Sequence, residues 1–574
     1  MALLKNWLER LPYQLLCGTV EVPVTDVVYD SRKAGPDTVF VCMTGTRTDS
    51  HTFLAKAAEQ GCRSFVVERP LEALELPGPV QGDGFNIIRV DHGRSALAYL
   101  SAARFDYPAE KLCLIGLTGT KGKTTTAYMI RDMLEHAGKR TGIIGTNGCE
   151  YAGKHFSTNN TTPESYELCA RFREMLEAGC THVVMECSSQ GFKMHRTDGL
   201  VFDYGLFLNL SPDHIGPLEH ADFSEYLACK AKLLAQSRVG IVNADDPHTA
   251  AVLQASKRYF QSPEAENRGA EAAEEKIATE TAANNRTEAG VGTKTVIPLP
   301  DSAFVSREGV PLEPPLKAVY TYGIRENLKT SAVLPSLYAG KLCYEAGADF
   351  TGVSFQVHGL LSDQLRLPLP GEFNVSNALA AIAVCTLLGI PKETINEALL
   401  SIHVSGRMET VFRSAQLQVL VDYAHNAVSM ESLLKTLRAY RPKRLVVVFG
   451  SGGNRAKDRR SGMGKAAAQF ADFSILTNDN PRDEEPEAIL ADIRAAYLAA
   501  GGREDAVLEI PDRRAAIRYA MRTAQSGDMI AVIGKGHEAY QEIRGVRSHF
   551  SDREEILAAA KELGLSDKGA KNTI

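Results

Sequence analysis

Residues 116–124 read Gly-Leu-Thr-Gly-Thr-Lys-Gly-Lys-Thr. Glycines let a backbone approach an anion closely, and a turn that opens a helix adds inward-pointing N–H groups and the positive end of the helix dipole. Lys123 would neutralise the β- and γ-phosphate oxygens of a nucleotide, and the Thr124 hydroxyl would suit Mg²⁺, which prefers hard oxygen donors. Gly119, Thr120, Lys121, Gly122 and Thr125 complete the candidate phosphate cradle. Leu117 stands where the strict GxxxxGK[ST] pattern has its first glycine, with Gly116 one residue earlier, so a generic P-loop motor fits less well. The bland alternative is a Gly-rich connecting turn. Two further groups follow apolar runs: Glu186-Cys187-Ser188-Ser189 after Thr181–Met185, and Asn209-Leu210-Ser211-Pro212-Asp213-His214 after a second run. Open α/β sheets place ligands at the carboxyl ends of strands, which makes Glu186 a candidate metal carboxylate.

The elements around these residues alternate. Leu112–Leu117 is a strand pattern and Thr125–Ala137 an amphipathic helix, and further strands are expected at Thr181–Met185, Tyr204–Asn209 and Gly240–Asn243, the order of a parallel sheet. Before them, short strands at Thr38–Met43 and Arg63–Val67 and a helix near Phe53–Gln60 predict a smaller α/β domain. After Ser405 a third α/β series begins, with strands at Gln418–Val421, Arg444–Phe449, Phe473–Thr477 and Met529–Ile533. The expected division is 1–110, 111–405 and 406–574, with a helix at Asn374–Leu388 closing the second domain. Residues 262–315 are rich in Ala, Glu, Asn and Thr without apolar period, which predicts a disordered surface insertion.

Composition narrows the class. The 574 residues carry a formal net charge of −6 with 44% hydrophobic and 23% charged residues, a balance that favours neither nucleic acid nor membrane as partner. Lys5, Glu9 and Arg10 interrupt the apolar residues at the start, so no export signal and no transmembrane segment is expected, and the cytoplasm is the expected compartment. Eleven cysteines without a CxxC pair predict reduced core thiols.

The segment TGTKGKTTT, followed in order by ECSSQ, SPDH, YLACKAKLL, GRME, VDYAH, DNPR and GKGHE, resembles the Mur ligases, which build the peptide stem of peptidoglycan. The likeness is strongest to the MurE type, which adds the third residue, and covers nearly the whole chain except 262–315. It implies three α/β domains: one for the UDP end of the substrate, a central P-loop-type ATPase domain with a parallel-rich sheet, and a C-terminal Rossmann-like domain for the incoming amino acid. It further implies ATP and Mg²⁺, a UDP-muramoyl dipeptide and a diamino acid as partners, and a monomer. The resemblance makes His214 a second metal ligand and Lys230 a lysine carbamylated by CO₂ that helps hold magnesium, alongside Thr124 and Glu186, with Lys123 on the phosphates. A solvated helix lysine is the alternative for Lys230, with Lys232 two positions on.

By the same resemblance Ser31, in Asp30-Ser31-Arg32, meets the UDP end. Thr161, Thr162, Ser188 and Arg196 meet the muramoyl peptide. Asn374 and Asn377 lie on the adenine side, and Arg407 and Asp422 reach ATP. Asp479-Asn480-Pro481-Arg482 resembles the amino-acid-specificity motif of diaminopimelate-adding enzymes. Arg482 and Arg460 would pair with a distal carboxylate that lysine lacks, because a bidentate guanidinium favours that group, and Gly534 and Glu538 would face the distal ammonium. The expected reaction is amide formation through an acyl phosphate. L-Lysine addition, polyglutamate extension and a non-catalytic nucleotide-binding relative remain the alternatives.

Overall fold

The computed structural model describes residues 2–45, 48–74, 84–216, 219–259, 316–327, 335–347, 349–414, 417–455 and 457–565. The 262–315 segment lies outside the described residues. The chain divides into two compact units, Met1–Tyr338 with Ala380–Ile390, and Ala339–Leu379 with Pro391–Ile574.

The first unit holds two sheets. The N-terminal one has the strand order Gln14–Cys17, Asn86–Arg89, Ser64–Val67, Thr38–Val41, Asp26–Val28, parallel except for the first pair. Ser64–Val67 is buried at every position, as a strand covered on both faces must be. The central sheet places its first strand, Cys113–Thr118, between His182–Glu186 and Phe202–Phe207, and all three run parallel. Thr141–Gly145 lies outside His182–Glu186, while Ser237–Asn243 and Ala318–Ile324 continue on the other side. The chain therefore moves out one way from Cys113–Thr118 and then crosses to the other. The carboxyl ends flanking that reversal open a crevice, the usual ligand position of an open α/β sheet. Strands and helices fall within a few residues of the sequence expectations; His182–Glu186 runs one residue further, so Glu186 is the last strand residue, and the helix begins at Lys123.

In the second unit six strands pack in the order Glu409–Arg413, Leu417–Asp422, Asp528–Ile533, Arg444–Phe449, Phe473–Leu476, Val507–Glu509, parallel except at the first pair. Helices Ala427–Ala439, Lys457–Phe470 and Pro486–Ala499 bury one face of this sheet; Arg513–Arg522 and Asp552–Glu562 bury the other. This is the Rossmann-like arrangement expected. The segment Glu372–Leu387 is a helix, as expected for 374–388.

One buried ion pair secures the second face. Arg513 Nε and Nη2 each donate to Asp552 at 2.7 Å, and Arg513 also donates to the Ile533 and Asn478 carbonyls at the ends of two strands. Both side chains are buried. Burial lowers the guanidinium's affinity for its proton, but the Asp552 carboxylate overcomes that and raises its pKa. Arg513→Ala leaves Asp552 as an uncompensated buried charge and is expected to cost about 3–5 kcal/mol. Hydrogen exchange should show this as lost protection in the two flanking helices. Lys5→Ala, which breaks an exposed pair with Glu21, should change stability by less than about 1 kcal/mol.

Candidate active site

The phosphate loop is shaped by its neighbours. Gly122 sits at φ +86°, the left-handed conformation that lets the chain turn into the Lys123–His136 helix. Asn209, just past the Phe202–Phe207 strand, clips the loop from both directions: its Oδ1 accepts from Lys121 N at 2.9 Å and its Nδ2 donates to Lys121 O at 3.0 Å. The Thr120 hydroxyl adds a third tie, accepting from Ser211 N at 3.0 Å beside the Tyr226 hydroxyl at 3.1 Å. Gly119 through Thr125 thus form one cradle at the crevice. Lys123 Nζ donates to the Gly119 carbonyl at 2.8 Å.

Lys230 points into the same place. It is 2% exposed, and its Nζ donates to the same Gly119 carbonyl at 2.9 Å. Burial first, and the charge of Lys123 second, hold its pKa well below that of an ordinary lysine. Lys232, by contrast, reaches the Phe192 carbonyl and the Tyr259 ring, so the helix face separates the two lysines. Glu186, also 2% exposed, accepts the Thr124 hydroxyl at 2.9 Å, which joins the loop's metal-type hydroxyl to the strand-end carboxylate. His214 does not join them here: its side chain is half exposed, with Nδ1 at 2.9 Å from Glu219. Among the described residues no three His, Cys, Asp or Glu side chains form a ready metal cluster.

Residues expected to meet the muramoyl peptide lie near Glu186. Thr162 donates to the Glu186 carbonyl at 3.0 Å and accepts from Ser188 N at 2.9 Å, and Ser188 caps the Ser189–Lys193 helix. Thr161 Oγ1 is 3.2 Å from Thr146 Oγ1. Arg196 is engaged internally, by Glu164 at 2.7 and 2.8 Å and by the Thr162 carbonyl at 3.0 Å. Ser31 opens a 3₁₀ turn capped by Asp30, the local motif its tripeptide suggests. All eleven cysteines are free; Cys187 is buried, and burial drives its thiol pKa up, which makes it a core residue.

In the second unit the strand ends gather another cluster. Asp422 is partly buried and accepts from Met408 N at 2.8 Å and Ala424 N at 2.7 Å; desolvation raises its pKa, and Arg407 opposes the rise. Arg407 lies 4.7 Å over the Tyr423 ring with its buried Nε unpartnered among the described residues. Its turn is held by the buried Glu409 carboxylate, which accepts from Gly406 N at 2.7 Å and pairs with Arg553. Asn480 donates to Glu538 at 2.9 Å, and burial raises the pKa of Asp479, against the opposing charges of Arg513 and Lys535. Gly534 is required beside them, because a Cβ there would come within 2.6 Å of Asp479 Oδ2. Arg482 follows Pro481 at φ +53° and donates to the Gly453 carbonyl at 2.8 Å. No carboxylate among the described residues pairs with it. Arg460 corrects the expectation of a shared carboxylate: it is 1% exposed, and its guanidinium pairs with Glu484 at 2.6 Å and Asp492 at 2.9 Å. Asn374 and Asn377 are buried and bonded to each other at 3.2 Å in the first turns of Glu372–Leu387.

Comparison with known proteins decides the family. The sequence pattern of the Mur ligase middle domain matches residues 117–307, and that of the Mur ligase glutamate ligase domain matches 406–536. A diaminopimelate-adding UDP-N-acetylmuramoyl-L-alanyl-D-glutamate ligase of Clostridium perfringens is 33% identical over 96% of this chain and 98% of its own length. The chain belongs to the Mur ligase family. A ligase of the same description from Chlorobaculum tepidum is 37% identical over 94% of this chain and 93% of its own. A solved structure also described as that ligase superposes with a TM-score of 0.65 at 26% identity, over 98% of this chain and 99% of that one. Mur ligases are ATP-dependent amide ligases, and the phosphate loop stands in the domain that the family pattern covers.

Four residues beside these clusters, two in each unit, escaped the sequence reading. Asn209 was visible only as part of a strand end. Thr146 binds Glu186 through its N–H and its hydroxyl. Lys535 is fully buried among Asn480, Glu538 and Asp479, and only its place in GKGHE hinted at it. Arg455, in the same basic run as Arg460, is exposed, and its side-chain stem lies near Gly452. Asn209→Leu removes both clips on the phosphate loop. At about 1 kcal/mol per hydrogen bond, it should weaken ADP binding roughly ten- to thirtyfold by calorimetry.

Proposed function

We propose that this Mur ligase adds meso-diaminopimelate to UDP-N-acetylmuramoyl-L-alanyl-D-glutamate in the cytoplasm, joining them through an acyl phosphate in peptidoglycan synthesis. The observation that carries the choice of amino acid is Arg482: a guanidinium fixed by the Gly453 carbonyl, with no internal carboxylate among the described residues. A second carboxylate on the incoming amino acid would meet it as a bidentate partner. Asn480, Glu538 and Lys535, already bonded together, would receive that amino acid's polar groups. Among the described residues no helix is long and apolar enough to cross a membrane, in keeping with soluble precursors as substrates.

The chemistry follows from where charge collects. The acceptor's free carboxylate attacks the γ-phosphorus, and ADP leaves; the amine then attacks the acyl carbon, and the tetrahedral intermediate expels phosphate to give the amide. Lys123 and the loop N–H groups would bind the phosphates. Thr162, Ser188 and Thr161 would orient the acceptor. Thr124 and Glu186 form a hard-oxygen pair suited to magnesium, which when bound would supply positive charge to the transferring phosphoryl group. Lys230 suits carbamylation because burial and the charge of Lys123 lower its pKa and so favour the neutral amine: that nitrogen attacks CO₂, a proton leaves, and the side chain becomes a carboxylate-like anion. His214, with its Nδ1 held by Glu219, would offer Nε2 as the ligand.

Phosphate release with ATP, Mg²⁺ and the UDP-muramoyl dipeptide should depend on diaminopimelate. Release with L-lysine instead would keep the ligase and overturn the reading of Arg482. Arg482→Ala, which loses a charge-assisted pair, should raise the KM for diaminopimelate about ten- to a hundredfold while leaving that for ATP nearly unchanged. Lys230→Ala should lose turnover and regain part of it with short carboxylic acids. No rescue, together with no carbamate signal in ¹³C NMR of wild type under ¹³CO₂, would remove the carbamylation.

A further inference from the structure

Glu186 is held by more than the phosphate loop. Its Oε1 accepts from Thr124 Oγ1 at 2.9 Å and from Thr146 N at 3.0 Å, and its Oε2 accepts from Thr146 Oγ1 at 3.1 Å. Thr146 immediately follows the Thr141–Gly145 strand, the direct neighbour of His182–Glu186 in the sheet. The last residue of that strand has to be Gly145, since a Cβ there would overlap Glu186 Oε1. The strand end is therefore cut away to admit the carboxylate, and the next residue grips it with two donors.

The Thr146 hydroxyl has one proton. With Glu186 ionised, that proton goes to Oε2, so the Thr161 hydroxyl, 3.2 Å away, is the donor to Thr146. The result is a directed chain, Thr161 to Thr146 to Glu186, running from a partly exposed hydroxyl to a buried carboxylate. Each link polarises the next. We propose that Thr146 is a positioning residue that orients Glu186 toward a divalent cation and transmits acceptor occupancy at Thr161 to that carboxylate. The inference rests on the proposed function, in which Glu186 faces the metal and Thr161 the muramoyl peptide. When the Thr124 hydroxyl turns from Glu186 to a cation, the two donors of Thr146 remain to fix the carboxylate's angle. An acceptor that takes the Thr161 proton removes the first link of the chain, so acceptor and metal affinities become coupled, and by linkage the coupling is reciprocal.

Thr146 is exposed, and Thr146→Val keeps its shape and its N–H, so the variant should fold with the wild-type unfolding midpoint. The test is Mn²⁺ binding to the ADP-loaded enzyme by electron paramagnetic resonance, with and without the UDP-muramoyl dipeptide, in wild type, Thr146→Val, Thr146→Ser and Glu186→Gln. Groups that orient a metal ligand typically matter about 10- to 100-fold in metal affinity, so Thr146→Val should weaken Mn²⁺ by about tenfold or more. It should also abolish the effect of the dipeptide on Mn²⁺ affinity, and Thr146→Ser should restore both. A folded Thr146→Val that binds Mn²⁺ like wild type while Glu186→Gln does not would overturn the role of Thr146 alone. Unchanged binding in both would overturn the metal reading of Glu186 as well, and wild-type Mn²⁺ binding indifferent to the dipeptide would overturn the coupling.

Discussion

A carboxylate buried at the end of a parallel strand is the constraint around which the first unit is arranged. Glu186 is 2% exposed, and a carboxylate placed so far from water needs hydrogen-bond donors around it, since a buried polar group without them is costly. Those donors come from two different strand ends, the phosphate loop's Thr124 and Thr146, and the space comes from Gly145. The second unit repeats the device. Asp422 takes two backbone N–H groups at its strand end, and Asp479 lies against Gly534, whose missing Cβ makes the room. In both units a glycine at one strand end makes room for an acid from another strand end, the adjacent strand in the first unit and the next but one in the second.

The sheet order explains why the loop, the carboxylate and Asn209 meet. Cys113–Thr118 is first in sequence but central in space, so its carboxyl end has a neighbour on each side: one delivers Glu186 and the other Asn209. Lys230 arrives from the Phe223–Ala235 helix, which packs under the same strands, and shares the Gly119 carbonyl with Lys123. Two amines on one oxygen cannot both be comfortably charged. That crowding, added to burial, is the physical source of the depressed Lys230 pKa.

Much of this was legible from sequence for reasons that are themselves physical. Strands such as Arg444–Phe449 are continuous apolar runs because helices cover both faces, and a Gly-Lys-Thr turn between strand and helix has few other uses. Side-chain direction was not legible. Lys230 and Lys232 differ only in helix face, and the two-residue step between them is enough to send one inward and the other to Tyr259. Arg460 and Arg455 stand in the same basic run, yet one is turned onto Glu484 and Asp492 and the other remains outside. Thr146 carried no motif, because its role arises from a neighbouring strand forty residues further along the chain.

The central position of the Cys113–Thr118 strand also bears on how the chain is made. The phosphate loop is translated early, but the strands that flank it and the Asn209 clip come later, beyond Gly145 and then beyond Phe207. Until those segments have left the ribosome, the loop is a glycine-rich tether with no walls, and contacts so distant in sequence close slowly. Nucleotide can therefore bind only a chain whose sheet has already assembled, and each bound molecule withdraws that chain from the unfolded pool. A nucleotide held by this loop would thus act on the fold as a late-stage selector, favouring finished copies over nascent or partly unravelled ones.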